Sequence, residues 1–305
     1  MSHPSAALAP PLDPAARARE RSMLLAALSD LVLIAGLFAT GLWANSLMIL
    51  AEGVRALLLV MLEFLLLLLL MRIQRGRTHD FDYGAGKLEQ FANAGIGTAM
   101  GLAGVSVAVG AAYRWFHPPD QAGLGLAFAA AVGAANLVQN AVVFRALWLA
   151  GRDGGSVILT GQVRTRLAKL VSSVLVLIAL LVNLVFQGGP IGHIAEVAGS
   201  AFVAFVMLQL AVAMWREALP SLLDRTLEEH QQQRINRALA AHFEAYDSLF
   251  AVRSRLSGNT PHVEIELGFG PERTMADVQA VADAVKGAVV ALIPGAVVTV
   301  VPRAL

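Results

Sequence analysis

The stretch that decides the fold runs over residues 45–71: NSLMILAEGVRALLLVMLEFLLLLLLM. A helix crosses a bilayer with about 20 apolar residues, and this run is longer than that. It nevertheless contains Glu52, Arg55 and Glu63. A charge near the bilayer centre costs at least about 2.5–3.5 kcal/mol on insertion scales, so such side chains turn away from lipid. One helical turn separates Glu52 from Arg55 and about three separate Glu52 from Glu63, which places all three close to one side. That side must face other helices, water or both. Two readings stay open: an interhelical salt-bridge seam that fixes packing, or a polar pathway for a solute or proton.

Composition points the same way. The chain is 57% hydrophobic and 15% charged, with a formal net charge of +1. That excludes a nucleic-acid binder and a soluble acidic protein, and several apolar runs near twenty residues mark a membrane protein. There is no cysteine, so disulfides, thiolate zinc sites and cysteine nucleophiles are excluded. No nucleophile–base constellation stands out either, and the chain does not read as an enzyme.

Working outward, six spans are expected near residues 23–43, 45–71, 91–113, 123–149, 157–186 and 194–215. Asp30 lies inside the first. The third carries Gly95, Gly97, Gly101 and Gly104, small residues whose spacing lets helix backbones approach closely. Asn136, Gln139 and Asn140 in the fourth are placed to bond across helices, and Trp43, Trp115, Trp148 and Trp215 sit at span ends. Residues 1–22, Pro/Ala-rich and then basic, read as a disordered tail. Arg17, Arg19, Arg21, Arg72, Arg75, Arg77, Lys87, Arg145, Arg152, Arg216 and Arg225 fall in the loops on one side, whereas the alternate loops are poor in base. The positive-inside rule then makes both termini cytoplasmic, with the protein in the cell (inner) membrane.

Residues 216–305 change character and read as a small α+β domain in the order helix–strand–strand–helix–strand. Strands are expected over 248–256 and 262–268, with Ser257, Gly258 and Asn259 as a hairpin signal. A helix over 274–293 opens with Thr274 as N-cap and Asp277 at N3, the pattern of a capping box. Pro294 and Gly295 end it, and a last strand follows over 296–301. The exposed sheet face would suit pairing with a second copy. The fold expected is thus an all-α six-helix transmembrane bundle (23–215) followed by a cytoplasmic αββαβ dimerisation domain (216–305).

Several short motifs resemble those of the cation diffusion facilitator (cation efflux) family. YGAGKLE at 83–89 resembles its YGxGKxE segment before span three, and residues 45–55 resemble the approach to its span-two metal site. LVSSV at 170–174 resembles its span-five LSSV run, and VRSRLSG at 252–258 its RxRxSG. The Gly-Lys segment is no phosphate loop, because no strand precedes it and no Ser or Thr follows the Lys. The resemblance covers nearly the whole chain from Met23.

Family members hold a divalent cation with two i,i+4 pairs of His or Asp, one on span two and one on span five. Matched residue by residue, the first pair falls here on Arg55 and Leu59 and the second on Thr165 and Lys169. Neither pair offers an ordinary zinc ligand, and a divalent ion beside Arg55 and Lys169 would be repelled. The soluble-domain ligand positions fall on Phe250, Gln279, Thr299 and Val301, with only Glu266 keeping an oxygen. No metal ligand and no cofactor is therefore assigned. His79, Asp80 and Asp82 form a ligand-rich turn whose register is shifted from the motif. The resemblance implies a homodimeric secondary transporter in the lipid bilayer that moves a small inorganic cation in exchange for protons. Its pathway candidates are Asp30, Glu52, Arg55, Glu63, Thr165 and Lys169. The alternative is a non-transporting family member acting as an assembly or regulatory partner. A third reading, anion transport, would use Arg55 and Lys169 as attracting charges.

Overall fold

The structure is a computed structural model that describes residues 14–74, 86–151, 157–257 and 260–305. Of the side chains at 14–27, 70, 72–74, 86, 143, 146, 147, 150, 151, 157–166 and 168 nothing is described. The cluster of His79, Asp80 and Asp82, the start of the YGAGKLE segment and the hairpin residues Gly258 and Asn259 lie outside the described residues.

Six long helices form first: α1 (Pro14–Ala44), α2 (Leu47–Gln74), α3 (Gly86–Phe116), α4 (Gly123–Gly151), α5 (Val157–Val185) and α6 (Pro190–Leu222). One expectation is corrected here, because α1 begins at Pro14, inside the stretch read as a disordered tail. Proline tolerates the first helical turn, since its missing N–H would be unpaired there anyway.

The chain forms two compact units. The first holds residues up to Leu67 together with Gly95–Ala213, and the second holds Leu68–Ala94 together with Met214–Leu305. The first unit wears its apolar residues on both sides. Val32, Leu42, Leu102 and Val109 are exposed, as suits lipid, while Met48, Met100, Leu126 and Met207 fill the interior. Small residues permit that packing. A Cβ on Gly125 would lie 2.8 Å from the backbone of Ala44. One on Gly199 would collide with the Met48 thioether, so α6 meets the start of α2 at close range.

The second unit contains α7 (Glu229–Ala240), a 3-10 turn (Phe243–Ala245), β1 (Ser248–Ser257), β2 (Thr260–Phe269), α8 (Met275–Leu292) and β3 (Val297–Ala304). β1 pairs antiparallel with β2, and β3 pairs parallel to β2 on the other side. The parallel pairing follows from α8, the crossover that returns the chain to the same edge direction. Val263, Ile265, Leu267 and Phe269 alternate along β2 onto a core with Ile235, Leu239, Val285 and Val289. The opposite sheet face, the one read as suited to pairing with a second copy, carries ion pairs. Arg253 reaches Glu264 at 3.0 Å and Glu266 at 2.8 Å, and Arg303 reaches Glu266 at 3.2 Å. Phe250, displaced by a bulge between Leu249 and Ala251, lies beneath the Arg303 guanidinium.

The capping box is present: the Thr274 hydroxyl accepts from Asp277 N at 3.3 Å while Thr274 N donates to the Asp277 carboxylate at 3.1 Å. Thr274→Ala is expected to cost about 1 kcal/mol. Amide exchange at Asp277 and Val278 should speed up accordingly, and Thr274→Ser should restore protection.

Candidate functional site

Within the first unit, Glu52 and Arg55 are buried at 4% and 3% exposure. Arg55 Nε donates to Glu52 Oε2 at 2.9 Å and Nη2 donates to Oε1, a two-pronged clasp across one turn of α2. Planar guanidinium and carboxylate match in shape, so both charges are met by one partner. Arg55 thus finds its acid on its own helix, not on a neighbour. Beside the pair lies a cavity of ≈ 20 Å³ whose polar lining is Glu52, Asn136 of α4 and Ser173 of α5. Among the described residues, Ser173 Oγ is buried without a hydrogen-bond partner, and Asn136 Oδ1 accepts from Asn140 at 3.3 Å.

The remaining candidates separate. Asp30 is half-buried on α1 and accepts from Gln139 Nε2 of α4 at 2.5 Å, so it joins the polar residues of span four and not Arg55. Glu63 is exposed, with Met61, Phe64 and Leu65 beside it, which removes it from the buried side. Helical period put Glu63 on the same face as Glu52. It lies about 25 Å along the axis from Ser46, where the structure leaves that face of α2 uncovered. The Thr165 side chain lies outside the described residues. Lys169 is half-buried and opens the apolar stretch Lys169–Val185, one turn from Ser173 on the same face of α5.

A second buried carboxylate was missed. Glu196 of α6 is 1% exposed. The Ser46 hydroxyl lies 2.8 and 2.9 Å from its two oxygens, Met48 N donates at 3.1 Å, and Asn183 Nδ2 donates at 3.0 Å. Arg114 of α3 stands 3.8 Å away and also donates to the Asn45 carbonyl at 2.6 Å. Ser46 precedes the first turn of α2, whose leading N–H groups have no intrahelical acceptor; Glu196 supplies one and sits at the positive end of the helix dipole. The signal that marked Glu52, an acid inside an apolar run, was equally present at Glu196.

Residues 23–223 match the family model described as the cation efflux transmembrane domain. The chain belongs to the cation efflux family. No curated protein sequence matches it. Membership makes this a multi-pass membrane protein of a cation-transporting family, not an enzyme.

For a cation efflux protein the membrane site is unusual in its donors. Among the described residues, no group of three or more His, Cys, Asp or Glu is placed to hold a metal ion. In the second unit Glu266 is held between Arg253 and Arg303, so an incoming divalent ion would meet two guanidinium groups. Asp224 occupies the left-handed region (φ 49) just past α6, and Arg225 N returns to the Pro220 carbonyl at 2.8 Å, closing a Schellman turn. From there its carboxylate bonds Lys87 at 2.9 Å and Arg255 at 3.2 Å.

Two outcomes test these contacts. Arg55→Ala leaves Glu52 buried and unanswered, and is expected to destabilise the detergent-solubilised protein by about 3–5 kcal/mol. The double variant Glu52→Gln, Arg55→Met should recover a large part of that loss in the same thermal-unfolding measurement.

The hydrogen bond from Lys87, with its charge and that of Arg255, holds the Asp224 carboxyl below its ordinary value. A depressed folded value means that the contact stabilises the fold above the unfolded carboxylate range, about pH 4. That contribution is lost as pH falls through the depressed value. Lys87→Met should bring the NMR titration of Asp224 back up towards the ordinary range, and added salt should act in the same direction.

Proposed function

We propose that the chain is a secondary transporter exchanging a hard inorganic cation for protons, with Glu52 as the carboxylate on which the two alternate. The observation that carries this reading is the Glu52–Arg55 clasp, buried where the family resemblance places a span-two metal ligand. The neighbouring donors are oxygens: Glu52, the Asn136 amide and the unpartnered Ser173 hydroxyl. Oxygen donors suit alkali and alkaline-earth cations and protons, whereas soft transition metals favour nitrogen and sulfur.

Arg55 neutralises Glu52 between cargo events. A carboxyl that has taken a proton or a cation holds the guanidinium less strongly, so loaded and unloaded states differ in how α2 is held. Such differential contact is what alternating access requires. Lys169, on the Ser173 face of α5, adds a second tethered cation where the resemblance places a span-five ligand. The basic loops orient both termini to the cytoplasm, and residues 216–305 serve as the dimerisation domain of a homodimer.

The alternative, a non-transporting assembly or regulatory partner, is favoured by one observation. Arg55 already occupies Glu52, and a ≈ 20 Å³ cavity holds about one water. Flux in proteoliposomes separates the two. Wild-type protein is expected to move at least one alkali or alkaline-earth cation when a pH gradient is imposed. Glu52→Gln should lower that flux by about a hundredfold, since a neutral amide cannot exchange a proton. Absence of flux across the whole ion panel would establish the partner reading instead.

A further inference from the structure

A second cavity, ≈ 620 Å³, lies among the turns between α3 and α4 and between α5 and α6. Pro118, Asp120 and Gln121 form one side, Gln187 and His193 the other, and Glu196 with Asn183 the floor. Both floor residues are 1% exposed, and among the described residues Asn183 Oδ1 meets no hydrogen-bond donor.

The floor separates this vestibule from the cavity beside Glu52. Along α2, Ser46 and Met48 bind Glu196, and the next residues inward, Ile49 and Glu52, line the inner cavity. Along α5, Asn183 binds Glu196, and Leu180, Val176 and Ser173 line the inner cavity. Ser46 to Glu52 is about 9 Å of helix, so the Glu196 cluster is the layer between them.

We propose that Glu196 is the gate at this end of the pathway and that the vestibule receives the hydrated inorganic cation before it passes. The identity of the cargo rests on the transport reading above; the gate does not. In the closed state Glu196 ties α6 to the N-terminus of α2 and to α5, with Arg114 balancing its charge from α3. The other charged or titratable groups facing the vestibule are Asp120, on the loop after α3, and His193, whose Nε2 lies 3.3 Å from the Trp115 carbonyl. A cation on the carboxylate competes with the Ser46, Met48 and Asn183 donors. The unmet Asn183 oxygen supplies a second ligand atom as those donors let go. Gly199 lets α6 approach α2 one turn further along, so the same helix pair closes and opens together.

The chain has no cysteine, which allows a single-thiol reporter. Val176→Cys places a thiol of similar size in the inner cavity wall. In the otherwise unchanged protein, a membrane-impermeant charged methanethiosulfonate should label it slowly from either face. Adding Glu196→Gln or Glu196→Ala removes charge-assisted bonds across the floor and should speed labelling by about tenfold or more, only from the face bearing the α1–α2, α3–α4 and α5–α6 turns. Glu196→Asp, which keeps the charge, should stay close to the parent rate.

An unchanged rate in both Glu196 variants overturns the gate. So does equal acceleration from both faces, which is general loosening. Should those variants fail to insert, Ser46→Ala removes one donor, and an unchanged rate there overturns the gate equally. The reading needs no flux. Sided acceleration in a chain that moves no ion keeps the gate and removes the transport reading, and flux without sided acceleration does the reverse.

Discussion

A carboxylate inside a hydrocarbon slab has to be answered where it stands, because the surroundings neither solvate it nor screen it. The chain does this twice by opposite means. Glu52 is met by Arg55 on its own helix, a local solution that needs only four consecutive residues in helical form. Glu196 is met by a hydroxyl, a backbone N–H and an amide from two other helices, with a guanidinium from a third nearby. The first solution calls on no other helix; the second fastens α2, α5 and α6 at the turn end.

The same economy recurs outside the bundle. Glu266 is held by Arg253 and Arg303, and Asp224 by Lys87 and Arg255. Tethered cations thus sit on carboxylates both at the membrane site and on the sheet face. A covalently attached cation costs the ordering of one side chain and none of the translational freedom that a free ion loses. It stays within reach of the carboxylate, so a mobile cation would have to compete with it.

Hydropathy placed the six spans because helices exposed to lipid satisfy their backbones internally and must be apolar over their length. Helix α8 was legible from Thr274 and Asp277, since a capping box is an interaction between residues three apart. Glu63 shares a helical side with Glu52 yet is exposed, for an instructive reason. Periodicity reports which face a residue shares, but not whether another helix covers that face at that height. Cross-strand contacts are hidden in the same way, because alternation along β1, β2 and β3 does not reveal that Arg253, Glu266 and Arg303 meet across strands.

The sequence by itself determined what short range controls: the apolar spans, the helix start at Thr274, the strand alternation, and the one-turn spacing that joins Glu52 to Arg55. Tertiary structure alone decided what long range controls. Ser46 and Glu196 are 150 residues apart, Arg114 and Asn45 69 apart, and Lys87 and Asp224 137 apart. No spacing rule connects such residues, because their meeting depends on how close the helices approach, and that is set by small side chains such as Gly125 against Ala44 and Gly199 against Met48. A buried acid in an apolar run announces that a partner must exist; only packing names it.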